Sequence, residues 1–134
     1  MPKKYFTVAE AEKLLPEIDA LIKKLICIKQ AISALSSIEI EYEDESEEIM
    51  NLTKYNKEFH RLSHEFYSTL EVLNQTGCIV KDLDYGLIDF YAMHKGEEIF
   101  LCWQLGENKI THFHTLEGGY EGRMPLNKLK HQKV

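Results

Sequence analysis

Two pairs of histidines lie at spacings that can chelate a metal ion. His60 and His64 are four residues apart in a helical pattern, and His112 and His114 are two apart in a strand-like pattern. Each spacing places both imidazoles of a pair on one face, which suits Zn²⁺ or a similar divalent metal. If the helix face meets the sheet, these four imidazoles and the carboxylate of Glu71 converge on one metal site.

The alternative for these histidines is a solvated helix face and a strand whose imidazoles make ordinary hydrogen bonds. We favour this alternative, because either spacing is common by chance. A smaller metal site that uses only His64, Glu71 and His114 is a third interpretation.

Three carboxylates, those of Asp82, Asp84 and Asp89, flank the first predicted hairpin turn. Paired carboxylates can transfer protons or bind Mg²⁺, although Asp84 is more simply a turn residue. Asp82 and Asp89 could be cross-strand neighbours, and their like charges would then repel unless a cation lies between them. We favour structural ion pairing, with Arg123 or Lys81 as the cation.

A glycine-rich segment, Gly118–Arg123, follows the last predicted strand. Its glycines permit positive φ angles and converging N–H groups that bind an anion, and Arg123 could hold a carboxylate or phosphate through two parallel bonds. The segment lacks the lysine and the hydroxyl residue of a P-loop. We favour a compact turn whose arginine pairs with Asp82 or Asp89, and keep a small anionic-ligand site as the alternative.

The most apolar predicted strand contains Cys102 and Trp103. A reactive thiolate needs an electropositive, partly exposed setting, which His114 could supply only if the strand register placed it opposite Cys102. The sequence therefore predicts that Cys102 is a core residue. Trp103 points to the other sheet face, where it would cover the helices or line a ligand pocket.

Composition argues against several classes of protein. The chain of 134 residues has a formal net charge of −6, which disfavours nonspecific binding to nucleic acid or to an anionic membrane. No run approaches the ~18 apolar residues of a membrane span, and no apolar signal segment follows the N-terminus. The three cysteines form no CxxC pair, so no disulfide framework is expected. These features predict a single-domain cytoplasmic protein with reduced thiols.

Helical patterns occupy residues 1–77. Thr7 and Glu10 match a capping box, so a helix is predicted to begin at Val8. Pro16 predicts that this helix is short and ends at Leu14, with a kink or a restart beyond it.

Two apolar seams follow, at alternating spacings of three and four residues. The first comprises Ile18, Leu21, Leu25, Ile28, Ile32 and Leu35, and the second comprises Leu52, Tyr55, Phe59, Leu62, Phe66, Thr69 and Leu73. The acidic run 39–48 between them is expected to be a solvated loop, with Asp44 or Ser46 capping the second helix and Gly77 ending it. The seams predict a long antiparallel hairpin. Their length favours self-association through the helices or a sheet edge.

Residues 78–126 carry strand-like patterns separated by short turns. Strands are predicted at Ile79–Leu83, Leu87–Met93, Ile99–Leu105 and Ile110–Leu116. Short turns favour an antiparallel meander. The predicted fold is therefore α+β: a short N-terminal helix, a long antiparallel helical hairpin and a four-stranded antiparallel sheet. Residues 127–134 are predicted to form a mobile tail.

Several motifs together resemble one protein family. They are Tyr5-Phe6-Thr7, Leu14-Leu15-Pro16-Glu17, Val80-Lys81-Asp82-Leu83, Gly86-Leu87-Ile88-Asp89-Phe90, Leu101-Cys102-Trp103, Gly106-Glu107, His114 and Gly122-Arg123 with Pro125. They span nearly the whole chain, and the set is similar to the uncharacterised domain-of-unknown-function family numbered 2203. The family pattern has an aromatic pair before one histidine, so His114 matches it and His112 departs from it. The resemblance implies a fold and supplies no activity.

The residues contain no complete catalytic set, so the favoured hypothesis is a non-enzymatic binding or interaction module. One alternative is a metal-binding protein or metal-assisted enzyme built on the histidine cluster. Another is a binder of a small anionic ligand around Arg123, with Asp82, Asp89 and Trp103 in the same site.

Overall fold

Two long helices precede an antiparallel sheet in the computed structural model, which describes residues 3–37 and 44–129. The elements are α1 (Val8–Ser36), α2 (Glu45–Gln75), β1 (Ile79–Asp82), β2 (Leu87–His94), β3 (Glu97–Gln104), β4 (His112–Thr115) and β5 (Met124–Pro125), with short 3₁₀ helices at Tyr120–Gly122 and Leu126–Leu129. The α+β class is as predicted. In the described ranges, neither helix combines the length and the apolarity that a membrane crossing requires.

Both helices begin at the caps expected from sequence. The Glu10 N–H donates to Thr7 Oγ1 at 3.1 Å and the Thr7 N–H donates to Glu10 Oε1 at 3.0 Å. At α2, the side chain of Asp44 accepts from the Glu47 N–H at 2.8 Å. Residues 45–48 thus form the first turn of α2, where their carboxylates interact favourably with the positive end of the helix dipole. The predicted acidic loop is wrong for these residues, while 38–43 lie outside the described part.

The first helix is long rather than short, so the predicted end at Leu14 is wrong. α1 continues through Pro16, whose side chain is exposed. On the opposite side, Leu15 and Ile18 are buried in the core. A proline inside a helix costs about 3 kcal/mol, whereas full burial of each aliphatic side chain contributes about 1.5–3 kcal/mol. The burial of Leu15 and Ile18, which flank the proline in sequence, therefore outweighs the cost of Pro16 in the helix.

The helices pack against each other as a hairpin. The connection from Ser36 to Glu45 can span about 30 Å, too little to return along a 29-residue helix of about 43 Å, so the helices run antiparallel. Of the second predicted seam, Leu62, Thr69 and Leu73 are buried, whereas Leu52 is 44% exposed. The N-terminal end of α2, where Leu52 lies, is thus outside the main core.

The strands form a meander in the order β1-β2-β3-β4-β5, with antiparallel pairing throughout. The sheet has five strands rather than the predicted four, because Met124 and Pro125 pair with β4. A two-residue strand that includes a proline has no period-two pattern to reveal it. The fourth strand is also shorter than predicted and begins at His112.

The two faces of the sheet differ in polarity. Alternate side chains of β2, β3 and β4 join the buried cluster formed with α1, namely Ile88, Phe90, Ala92, Ile99, Leu101, Trp103 and Phe113. We call this the inner face. The intervening side chains point the other way, and this outer face carries Asp89, Phe100, Cys102, His112 and His114.

The chain after the sheet returns to the core before it leaves the described range. The Leu126 N–H donates to the Thr111 carbonyl at 3.0 Å, and Leu129 is buried in the core cluster. The first part of the predicted tail at 127–134 therefore includes a core residue, and residues 130–134 lie outside the described part.

Candidate functional site

Neighbouring strands bring three polar side chains together on the outer face. Asp89 of β2 lies opposite Cys102 of β3, and Cys102 lies opposite His112 of β4, two residues before His114. One potential ligand atom each from Asp89, Cys102 and His114 lies within 4.8 Å of the other two, and all three residues are buried. In the described part of the chain, this is the one such group of three.

The hydrogen bonds of His114 determine which of its ring nitrogens carries a hydrogen. Nδ1 lies 2.7 Å from the carbonyl oxygen of Thr115, and a carbonyl only accepts, so Nδ1 carries a hydrogen and donates it. Nε2 lies 3.0 Å from Oδ2 of Asp89. A bare Nε2 and an ionised carboxylate are both acceptors, so a proton or another cation must lie between them.

Cys102 completes the group, although its sulfur is not an activated nucleophile. Burial raises the pKa of the Cys102 thiol, the charge and hydrogen bond of Asp89 raise it further, and the positive charge of Arg123 opposes them. The thiol is therefore protonated at neutral pH. The prediction that Cys102 is buried is confirmed, but its side chain lies outside the core cluster and faces a carboxylate.

A pocket of about 180 Å³ opens above this group. Its wall includes Lys81 from β1, Phe100 from β3 and Arg123 from the segment after β4. Lys81 Nζ lies 5.0 Å from the centroid of the Phe100 ring. The pocket therefore combines an apolar wall with two cationic side chains above a buried carboxylate, thiol and imidazole.

The glycine-rich segment forms one side of this pocket. Gly119 lines it and has a φ of 56°, a left-handed conformation that favours glycine. The Gly118 N–H donates to Thr115, and the Gly122 N–H donates to the carbonyls of Gly118 and Gly119. These two N–H groups are committed inside the turn, so a bound anion would meet Arg123 rather than a nest formed by them.

Asp82 and Asp89 are not cross-strand neighbours, so that prediction is wrong. Ile79 lies opposite Asp89, and an irregularity after Val80 places Asp82 opposite Leu87. The carboxylate of Asp82 instead accepts from the Tyr85 N–H at 3.0 Å and closes the turn.

Two further predicted residues have partners outside the group formed by Asp89, Cys102 and His114. Asp84 lies in the turn after β1, as predicted, and pairs with Lys29 of α1 at 2.8 Å. Trp103 lines the pocket, while its indole N–H donates to the Glu107 carbonyl at 2.9 Å and its ring belongs to the core cluster.

The proposed five-residue histidine cluster is not assembled in this structure. His60, His64 and Glu71 are exposed on α2, whereas His114 is buried on the outer face, turned away from the core that α1 covers. His112 Nδ1 contacts the Thr111 hydroxyl at 2.8 Å. His114 thus meets Asp89 and Cys102. The sequence left His114 beside Cys102 open, as dependent on the strand register, and gave no reason to join Asp89 to them, because the combination requires the register of three strands.

The fold and site define a small α+β protein with a helical hairpin on one sheet face and a polar pocket on the other. A family model described as "Uncharacterized conserved protein (DUF2203)" matches residues 4–126. The chain therefore belongs to this family, and the resemblance noted from its motifs is confirmed. No curated protein and no solved structure matches the chain.

Proposed function

We propose that this protein is a non-enzymatic binding module that takes a small anionic ligand into the outer-face pocket. The observation that carries the proposal is the pair of cations, Lys81 and Arg123, on the wall of one pocket. The carboxylate of Asp89 is already matched by His114 at 3.0 Å, and Cys102 is a neutral thiol. The charged side chains that line the pocket therefore sum to a net positive charge.

The chemistry of Arg123 suits a carboxylate or a phosphate. A guanidinium has five N–H donors in a planar fork that can pair with two oxygens at once. The volume of about 180 Å³ corresponds to about six water molecules. The pocket therefore suits a compact acid or the charged end of a larger molecule.

A binding role is favoured over catalysis because neither Cys102 nor His114 is in a form that catalysis would use. Nucleophilic catalysis needs an activated thiolate or hydroxyl, whereas burial raises the pKa of the Cys102 thiol. A general base needs a nitrogen or oxygen that can reach a substrate proton, whereas both ring nitrogens of His114 contact protein atoms.

Thermal denaturation with a panel of small anions tests the proposal. The panel would contain phosphate, sulfate, oxalate, malonate and citrate, with glycerol and urea as neutral comparisons. A ligand at 100 times its Kd stabilises the folded state by about 2.7 kcal/mol, which raises the Tm by roughly 5–10 °C. We expect such a shift for wild type, a smaller one for Lys81→Gln and none for Arg123→Gln.

Lys54→Gln is the matched control, because Lys54 is an exposed lysine on α2. It should keep the full shift. Equal shifts in wild type and Arg123→Gln, or no shift of wild type with any anion, would count against the proposal.

Self-association is a second candidate, and one surface favours it. Ile49 and Met50 are each 58% exposed near the start of α2, and Leu52 is 44% exposed. In the described sheet, the edge strands β1 and β5 have only four and two residues, which disfavours edge-to-edge pairing. We therefore place the proposed contact on the helices. Light scattering should give a dimer that Ile49→Asp converts to a monomer, and a wild-type monomer throughout the micromolar range would refute it.

We also propose a cytoplasmic location, with no nucleic-acid or membrane partner. Three free thiols, at Cys27, Cys78 and Cys102, suit a reducing compartment. The net charge of −6 disfavours anionic polymers and anionic lipid surfaces. Fractionation of cells that express the untagged protein tests the location.

A further inference from the structure

We propose that Asp89, Cys102 and His114 bind one transition-metal ion, Zn²⁺ being the closest match to these donors. The site would form the floor of the outer-face pocket. This inference goes beyond anion binding and does not rest on it, because the three ligands are different residues from Lys81 and Arg123.

The positions of the three donor atoms fit one ion. They lie within 4.8 Å of one another. Zinc bonds of about 2.0–2.1 Å to nitrogen or oxygen and about 2.3 Å to sulfur place tetrahedral ligand atoms about 3.3–3.6 Å apart. Small side-chain rotations close the difference, and the donors come from β2, β3 and β4, whose backbones are already fixed by pairing.

The orientation of His114 is the one that a metal ligand needs. Its Nδ1–H donates to the Thr115 carbonyl at 2.7 Å, and ligating histidines almost always donate their other ring N–H to such an acceptor. This leaves Nε2 directed at Asp89 Oδ2, at 3.0 Å. A metal ion between these two acceptors would offset their mutual repulsion, as a proton does. Cys102 adds a third donor atom, which a metal ion needs and a proton does not.

Charge balance also favours a divalent ion. A 2+ ion with the Asp89 carboxylate, the Cys102 thiolate and neutral His114 makes a neutral complex, which a buried site tolerates better than an isolated charge. Binding releases the thiol proton and any second proton held by His114. Mixed nitrogen, oxygen and sulfur donors suit zinc and its neighbours rather than Mg²⁺ or Ca²⁺.

Three protein ligands leave a fourth position, which faces the pocket. Catalytic and ligand-exchanging zinc sites have this composition, whereas purely structural sites use four protein ligands. A water molecule or an anionic oxygen would fill that position from the pocket, whose lining also includes Arg123.

Cobalt substitution and metal analysis of the untagged protein test the site. Protein stripped with a chelator would be reloaded with Zn²⁺ or Co²⁺, dialysed and analysed for metal per chain. We expect about one ion per chain, and a thiolate-to-cobalt charge-transfer band that reports a sulfur ligand. Cys102→Ser should abolish the band, and His114→Gln and Asp89→Asn should each weaken binding by roughly 100-fold or more.

Matched controls separate this site from others on the chain. Cys27→Ser changes an exposed thiol, and His112→Gln changes the histidine that pairs with Cys102 in the strand register; both should keep the ion and the band. Circular dichroism would verify that each variant is folded.

Three results would overturn the site. The first is a folded wild type that binds none of the two ions. The second is a cobalt spectrum of wild type that lacks the thiolate-to-cobalt band. This test uses wild type alone and so does not depend on whether any variant folds. The third is metal that is retained by Cys102→Ser but lost from a His60→Ala/His64→Ala double variant. Repeating the anion panel on chelator-stripped protein separates failure here from failure of the proposed anion site.

Discussion

The two faces of the sheet are made by the same strands, yet they depend on the sequence in different ways. On the inner face, alternate residues of β2, β3 and β4 are apolar and pack with α1. On the outer face, Asp89, Cys102 and His114 approach one another within 4.8 Å. The inner face needs only apolar side chains at every second position, whereas the outer face needs one particular strand register.

The inner face should show the largest effect on stability. Phe90 is fully buried and its ring packs on that of Phe6 at 5.2 Å. Phe90→Ala removes an aromatic ring and leaves a cavity, so the free energy of unfolding should fall by about 3–5 kcal/mol. Urea denaturation measures this, and a loss below about 1 kcal/mol would mean that the inner face is not the main core.

The outer face should show a comparable effect that a second change reverses. His114→Leu leaves the buried carboxylate of Asp89 without its imidazole, since both side chains are nearly inaccessible. We expect a loss of about 3 kcal/mol in metal-free protein. Adding Asp89→Val removes the stranded charge, so the double variant should regain most of that loss. Additive losses in the double-mutant cycle would contradict a buried pair.

The buried thiols should give the smallest effect, and only at alkaline pH. Burial raises the pKa values of Cys78 and Cys102 above their value in the unfolded chain. Below about pH 8 both states are protonated and the thiols contribute no pH dependence. Above it the unfolded chain loses protons that the folded chain keeps, so stability falls as pH rises.

The slope of this alkaline loss is at most about 1.4 kcal/mol per pH unit for each thiol. Urea denaturation of chelator-stripped protein between pH 8 and 10.5 would measure it. Cys102→Ala should flatten the slope, while the exposed thiol variant Cys27→Ser should leave it unchanged. An equal slope in Cys102→Ala and wild type would show that this thiol ionises in the folded protein.

Signals confined to a few neighbouring residues predicted much of the architecture. The caps at Thr7 and Asp44 each join groups three residues apart, and the first four strands follow from alternation and turns. The prediction from Pro16 was wrong because the local cost of the proline is outweighed by the combined burial of Leu15 and Ile18 on the other side of α1. The fifth strand had no pattern to detect.

The candidate site could not be predicted from spacing alone. Pairing the histidines by their spacing led to His60 and His64, which are exposed on α2. The residues that do meet His114 are distant in sequence and lie in strands rich in apolar residues, where Cys102 looks like core and Asp89 looks like a surface ion-pair partner. Only the register places them together.

The most direct test of the outer-face site is chemical-shift mapping of the backbone amides during separate titrations with Zn²⁺ and inorganic phosphate. We predict that the perturbed amides lie around Asp89, Cys102 and His114 and in the turn that leads to Arg123. Perturbations centred on His60 and His64 of α2, or none with either ligand, would contradict the account.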